Sequence, residues 1–310
     1  MSSHALVEAG VITCPEFDLQ MTLESGQTFH WTPETTAEGT AYTGCIGTTP
    51  FHLRQKGDQL YFRGGTAAML HRYFALDHDL EAIRSSCSGH PPSHEAALAC
   101  RGLRIMRQPH WECIATFILS PMKQVAHIRQ MSLALRAAFG TRLPGTSVPS
   151  FPEPASLAAA SEADLRSCGL GFRAKSLHAT AKLIADGTFD PESLVTMSTP
   201  EARKALCTLP GIGRKVANCI LLFAYERLDA VPVDVWIARI LGSFRSRKAT
   251  PEQLESYGEK LLGPYAGYIQ QYLFHQARTG KLLIPTKPDR KKNAKRKSPV
   301  GNKGRKHVLA

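Results

Sequence analysis

The chain has 310 residues, 43% of them apolar, and a formal charge of +12. Such a length suits two cores with connecting segments, and the composition excludes a disordered or fibrous protein. No run approaches the roughly 18 consecutive apolar residues of a membrane span, and "MSSHALVEAG" lacks the basic start and apolar centre of a signal peptide, so an intracellular protein with no membrane partner is expected.

Up to about residue 65 the text reads as strands and turns. "FDLQMTL" alternates apolar with polar residues, which predicts a strand, and "FHLRQKGDQLYFRG" predicts two strands around Lys56-Gly57-Asp58. From about residue 66 the periodicity becomes helical. "HPPSH" at 90–94 is the clearest break in composition, and it divides a sheet domain with flanking helices over 1–95 from a helical domain over 96–280. Ser161 with Asp164, Thr199-Pro200 and Thr250-Pro251 mark helix starts, with a hydroxyl as cap and proline tolerated in the first turn.

The end of the chain, 281–310, is too charged and too poor in apolar residues to join a core, and a disordered tail is expected. Lys287 to Lys306 holds ten Lys or Arg against one Asp, a charge of +9, which leaves +3 for the folded body. Net charge is therefore weak evidence for a polyanionic partner. Eight cysteines, at 14, 45, 87, 100, 113, 168, 207 and 219, contain no CxxC pair and no histidine at ligand spacing. Free thiols are expected, with no zinc site, disulfide framework or iron–sulfur cluster.

The stretch "LPGIGRKVANC", 209–219, joins the helical text "STPEARKALCTL" to "RKVANCILLFAY" and reads as a helix-hairpin-helix. Glycines at 211 and 213 let the amides at the start of the second helix approach an anion, and the helix dipole adds to the attraction. An isolated Gly-x-Gly turn would more often be a plain helix pair. Lys215, however, places a cation on a first turn, where the dipole favours an acid. It either points to solvent, contacts a phosphate, or is a partly desolvated amine able to form a Schiff base. Nineteen residues later Asp234, in "AVPVDVW", is placed to cap the next helix. A carboxylate held that way is also a rigid electrostatic partner for a developing cation.

These segments resemble the helix-hairpin-helix, Gly/Pro-rich loop and Asp superfamily of base-excision DNA glycosylases, and within it the 8-oxoguanine DNA glycosylase family of the eukaryotic type. "LPGIGRKVANC" with "AVPVDV" carries the resemblance. "ESGQTFHW" at 24–31, "MRQPHWECIATFILS" at 106–120, "CGLGFRAKSL" at 168–177 and "GPYAGYIQQYLF" at 263–274 follow it in order. It covers roughly 10–278. The resemblance implies an α+β fold: an N-terminal antiparallel β-sheet domain of the TATA-binding-protein-like kind, packed on a larger all-α domain of two helical subdomains. It implies a bifunctional glycosylase and AP lyase acting on double-stranded DNA containing 8-oxoguanine, with the damaged nucleotide flipped out of the stack. Lys215 would attack C1′ and Asp234 would stabilise the oxocarbenium-like transition state. Cys219 and Phe274 would sandwich the base, Gln270 would bond its Watson–Crick edge, and the Gly26 carbonyl would accept the N7 hydrogen. Helix geometry agrees, since Lys215 with Cys219 and Gln270 with Phe274 are each four apart.

Gly211, Gly213 and Val216 of the hairpin, with Trp236, would meet phosphates, and Phe172 would wedge at the estranged base. The chain departs from the family at the opposite-strand contacts. Where the family has Asn, Arg and Arg, it reads Met122, His127 and Arg173, which predicts a weaker preference for cytosine opposite the lesion. Trp236 stands where a histidine is usual. The family implies no required cofactor, and a labile monovalent cation on the backbone carbonyls of Cys207, Leu209 and Ile212 when DNA is bound. A monomer is expected, in the cytoplasm or nucleoid of a bacterium or the nucleus of a eukaryote. The alternatives are a related glycosylase with another lesion range, although no cysteine follows Cys219 to bind an iron–sulfur cluster, and a non-catalytic DNA-binding module, against which Lys215 with Asp234 argues.

Overall fold

The computed structural model describes residues 9–245 and 249–282; from residue 283 the expected basic tail lies outside them. Five strands, β1 (Ala9–Thr13), β2 (Thr32–Thr36), β3 (Gly39–Ile46), β4 (Thr49–Lys56) and β5 (Gln59–Arg63), form one antiparallel sheet in the order β1-β5-β4-β3-β2. β4 and β5 pair from Lys56 opposite Gln59, so the turn Gly57-Asp58 sets their register as the sequence predicts.

"FDLQMTL" is not a strand. Asp18 accepts a 2.7 Å hydrogen bond from the Met21 amide and starts helix α1 (Leu19–Glu24), which buries Leu19 and Leu23. A side-chain cap outcompetes a short alternating pattern here. α1 and α2 (Ala67–Tyr73) cover one face of the sheet around Trp31, Tyr42, Phe51, Leu53 and Leu60. Trp31 Nε1 donates to the Tyr73 hydroxyl at 3.1 Å, which satisfies the polar end of a buried indole.

The rest is helical: α3 (Leu80–Ser86), α4 (Pro91–Ala99), α5 (His110–Ile118), α6 (Val125–Phe139), α7 (Pro154–Ala159), α8 (Glu162–Leu165), α9 (Arg173–Ala185), α10 (Thr199–Leu206), α11 (Arg214–Ala224), α12 (Val235–Ser243), α13 (Pro251–Leu262) and α14 (Ala266–Arg278). "HPPSH" marks the first turn of α4, where the prolines are tolerated because their missing amides would be unpaired. The expected boundary at 95/96 therefore falls inside a helix. Ala96 and Ala97 belong to the large helical core, as do Leu80 and Ile83 of α3. The buried residues of the helical part form one continuous cluster. α10 is capped by Ser198 and not Thr199, with Glu201 reaching back to the Ser198 amide at 3.0 Å; Ser161 and Thr250 cap α8 and α13 as predicted. No helix among the described residues is long and apolar enough to cross a membrane.

A buried polar joint ties sheet to helices. Glu112 of α5 is bonded to Arg136 of α6, and its Oε1 lies 3.1 Å from Nδ1 of His30, whose Nε2 meets the Cys45 carbonyl of β3 at 2.7 Å. Arg136 also donates to the Pro149 carbonyl at 2.9 Å. With all three side chains buried, this joint holds its geometry because removing any partner would strand a charge or a donor.

Candidate active site

The hairpin forms as the sequence predicts. α10 and α11 flank the turn Pro210–Gly213, and Gly213 caps α11 in an extended conformation. Gly211 has φ +84, and a Cβ there would lie 2.7 Å from Cβ of Ser176 on α9, so both backbone and packing require glycine. A Cβ on Gly213 would meet no atom within 4 Å. Both glycines are exposed, which leaves the start of α11 open to a large anion, while Val216 behind them is buried.

Charged side chains brace the hairpin from behind. Arg203 of α10 donates to Asn218 Oδ1 at 2.6 Å, and Asn218 donates to the Val231 carbonyl at 3.0 Å. Arg214 donates to both oxygens of Glu255 on α13, at 3.2 and 2.7 Å. The network fixes α11 against the loop that delivers Asp234.

Lys215 and Cys219, one turn apart on α11, line a cavity of about 480 Å³. Asp234 enters it from the start of α12, its Oδ1 accepting from the Ile237 amide at 2.8 Å. Gln270 and Phe274 enter from α14, and Gly26 from the turn after α1. Six residues from four separate parts of the chain thus converge. Lys215 is half-buried, whereas Gln270 is 3% exposed and its Oε1 has no partner among the described residues. An unpaired buried acceptor is costly, so this amide is suited to a polar ligand. Burial pushes the Asp234 carboxyl up, against the capping amide of Ile237 and the Lys215 cation. It also pushes the Cys219 thiol up, with Lys215 working the other way. A small, neutral, polarizable thiol is suited to packing against a flat base.

The cavity includes residues that sequence reasoning missed. Phe29, Phe117 and Phe223 supply apolar wall, Ser120 a buried hydroxyl with no partner among the described residues, and Lys123 a second amine at the rim. Phe29 lies three residues after Gly26 in "ESGQTFHW", and proximity could have suggested it. Trp236 lines the cavity, and the Arg239 guanidinium sits 5.7 Å from its ring centroid. Arg239, one turn on, restores near Trp236 the positive charge that an indole lacks.

The opposite-strand residues lie outside the cavity. Met122 is 85% exposed at φ +56, and His127 is exposed on α6. Phe172 is 57% exposed. Arg173 differs from expectation: it is buried, donates to the carbonyls of Pro121 and Leu170, and lies 4.3 Å from the Phe172 ring centroid. Two of its donors tie Pro121, next to Met122, to Leu170, and its guanidinium packs on the Phe172 ring. Among the expected cation-binding carbonyls, that of Leu209 accepts the Ile212 amide at 3.2 Å. No group of three or more potential metal-ligating side chains occurs among the described residues.

The chain resembles known proteins in sequence and fold. Residues 11–114 match the family model for the 8-oxoguanine DNA glycosylase N-terminal domain, and 115–264 match that for the HhH-GPD superfamily of base-excision DNA repair proteins. The N-glycosylase/DNA lyase OGG1 of Arabidopsis thaliana is 31% identical over 289 residues, 85% of this chain and 78% of that protein. A solved structure of MBOgg1 in complex with a low-affinity DNA ligand superposes with a TM-score of 0.82 at 30% identity, covering 90% of this chain and 99% of the other. The Clostridium acetobutylicum 8-oxoguanine glycosylase/lyase, solved with double-stranded DNA containing cytosine opposite 8-oxoG, shares the fold with a TM-score of 0.81 at 24% identity over 90% and 100% of the two chains.

Proposed function

Because the chain belongs to the 8-oxoguanine DNA glycosylase family of the HhH-GPD superfamily, we propose that Lys215 and Asp234 carry its reaction, excision of 8-oxoguanine from DNA in base-excision repair followed by AP lyase cleavage. The supporting observation is that both line one cavity with Gly26, Cys219, Gln270 and Phe274.

The nucleotide is extruded from the duplex, since C1′ and the base edge are inaccessible in the stack. The Lys215 amine attacks C1′, and the C1′–N9 bond breaks with its electron pair leaving on the base. Asp234, fixed by the Ile237 amide, faces the positive charge that develops on the sugar. The amine's two protons pass to the departing base and to O4′ as the C1′–O4′ bond opens, giving an imine at C1′. That imine acidifies C2′, and loss of a C2′ proton expels the 3′ phosphate by β-elimination.

Selectivity comes from the walls. Cys219 and Phe274 hold the base between a thiol and a ring, Gln270 bonds its Watson–Crick edge, and the Gly26 carbonyl accepts the N7 hydrogen that guanine lacks. One such bond contributes only about 1 kcal/mol, so the carbonyl discriminates mainly by facing an N7 lone pair when guanine enters. Gly211, Gly213 and Val216 present α11 amides to a phosphate. A monovalent cation on the carbonyls of Cys207, Leu209 and Ile212 would add positive charge there; the second lone pair on Leu209 leaves room for it. The enzyme is proposed to act as a monomer.

Borohydride trapping on duplexes carrying 8-oxoguanine tests the assignment. The parent protein gives a covalent complex and Lys215→Gln gives none. Trapping that survives in Lys215→Gln would assign the nucleophile elsewhere.

A further inference from the structure

The segment that presents Gly26 is held from both sides. From α14, Gln271 donates to the Ser25 carbonyl at 3.1 Å and Arg278 to the Glu24 carbonyl at 2.6 Å. From the chain before α5, Gln108 donates to the Gln27 carbonyl at 2.8 Å. The Gln27 side chain, fully buried, donates to the Arg104 carbonyl at 2.7 Å and accepts from the Met106 amide at 2.9 Å. Among the described residues, hydrogen bonds therefore end on the carbonyls of Glu24, Ser25 and Gln27, and none ends on that of Gly26.

Gly26 itself has no freedom to spare. Its φ is +90, and a Cβ would lie 3.0 Å from Val125 and 3.5 Å from Phe274. The direction of its carbonyl is consequently inherited from the peptides on either side.

We propose that Gln271 and Arg278 are specificity-positioning residues. By tying the peptides before Gly26 to α14, they aim its carbonyl at a fixed place relative to Gln270 and Phe274. This rests on the reading of Gly26 as the lesion acceptor. Gln270, Gln271, Phe274 and Arg278 occupy one helix, so contacts and supports share one register. An acceptor displaced by an ångström loses the N7 hydrogen without disturbing Lys215, because Lys215 stands on a different element with its own bracing.

Single-turnover rates of the full chain on an 8-oxoguanine duplex and on a duplex with a preformed abasic site test the inference. Cleavage at the abasic site needs Lys215 but no base. Gln271→Leu and Gln271→Glu, both of similar size and lacking the donor, lower excision about tenfold or more, while abasic-site cleavage stays within about twofold. Arg278→Lys, which keeps a donor, retains more excision than Arg278→Leu. Equal loss on both substrates, or no loss on either, overturns the inference. Gly26→Ala separates it from its premise. Full excision by that variant removes the reading of Gly26, whereas loss in Gly26→Ala with full excision in both Gln271 variants removes the positioning role alone.

Discussion

Asp234 accepts the Ile237 amide at 2.8 Å, so the carboxylate that faces the cavity with Lys215 is also the N-cap of α12. Asn caps as well as Asp, which lets charge and cap be separated. Asp234→Asn loses about 10²–10³-fold in base excision and keeps its fold. Burial pushes the carboxyl up, so folding favours its protonated form. The stability it contributes is fullest below the ordinary carboxylate range and is lost as pH rises through the raised value. Asn removes that loss, and thermal unfolding at neutral pH should place Asp234→Asn at or above the parent. Asp234→Ala, without a cap, falls about 1 kcal/mol below it.

The two hairpin glycines should behave differently. Gly211→Ala puts Cβ against Ser176 at φ +84 and costs more than about 1 kcal/mol in urea unfolding. Gly213→Ala meets no atom within 4 Å and leaves stability unchanged. It instead intrudes on the phosphate path, and duplex DNA affinity falls about fivefold, equivalent to one hydrogen bond.

Met122 occupies the left-handed region at φ +56, which Asn tolerates far better than Met. Met122→Asn therefore stabilises by about 0.5–1 kcal/mol and adds a base-reading donor. Cleavage rates opposite C, T, G and A should show a weak preference for C in the parent and a stronger one in the variant. A parental discrimination against A of about a thousandfold, some 4 kcal/mol, would contradict the first expectation.

The Glu112–Arg136–His30 joint predicts an acid-labile fold. Burial works to raise Glu112, but the Arg136 guanidinium and the His30 ring override it and hold the carboxyl down at about 2. Its contribution is present above 4.5 and is lost as pH falls toward 2. Burial, with Arg136 beside it, holds His30 below 6.5, so the fold prefers a neutral ring and loses stability as pH drops through that value. Urea unfolding should weaken from about pH 6.5 downward. Glu112→Gln should cost about 3 kcal/mol at pH 7 by stranding Arg136, and flatten the acid limb.

What the sequence made legible was the convergence: the resemblance named Lys215, Cys219, Gln270 and Phe274, helix spacing put each pair on one face, and all four line one cavity. The strand misread at "FDLQMTL" has a local cause: seven residues of alternation cannot reveal that Asp18 will cap. The burial of Arg173 was hidden for another reason. Whether a guanidinium faces solvent or turns back onto Pro121 depends on a loop fifty residues away, and no pattern around "GFRAKS" encodes that. Ser120, Lys123 and Phe223 were missed because the cavity wall is assembled from elements that meet only in three dimensions.

The crowding of Gly26 between Val125 and Phe274 has an evolutionary corollary. An atom of the main chain cannot be exchanged by a codon change, and at φ +90, with Val125 3.0 Å from where a Cβ would sit, a larger residue here is strained. Heritable drift in which lesions are accepted must then run through neighbours such as Val125, Phe274, Gln271 and Arg278. On the reading of Gly26 as the lesion acceptor, directed evolution of new lesion ranges on this scaffold starts from those side chains together with Cys219 and Gln270.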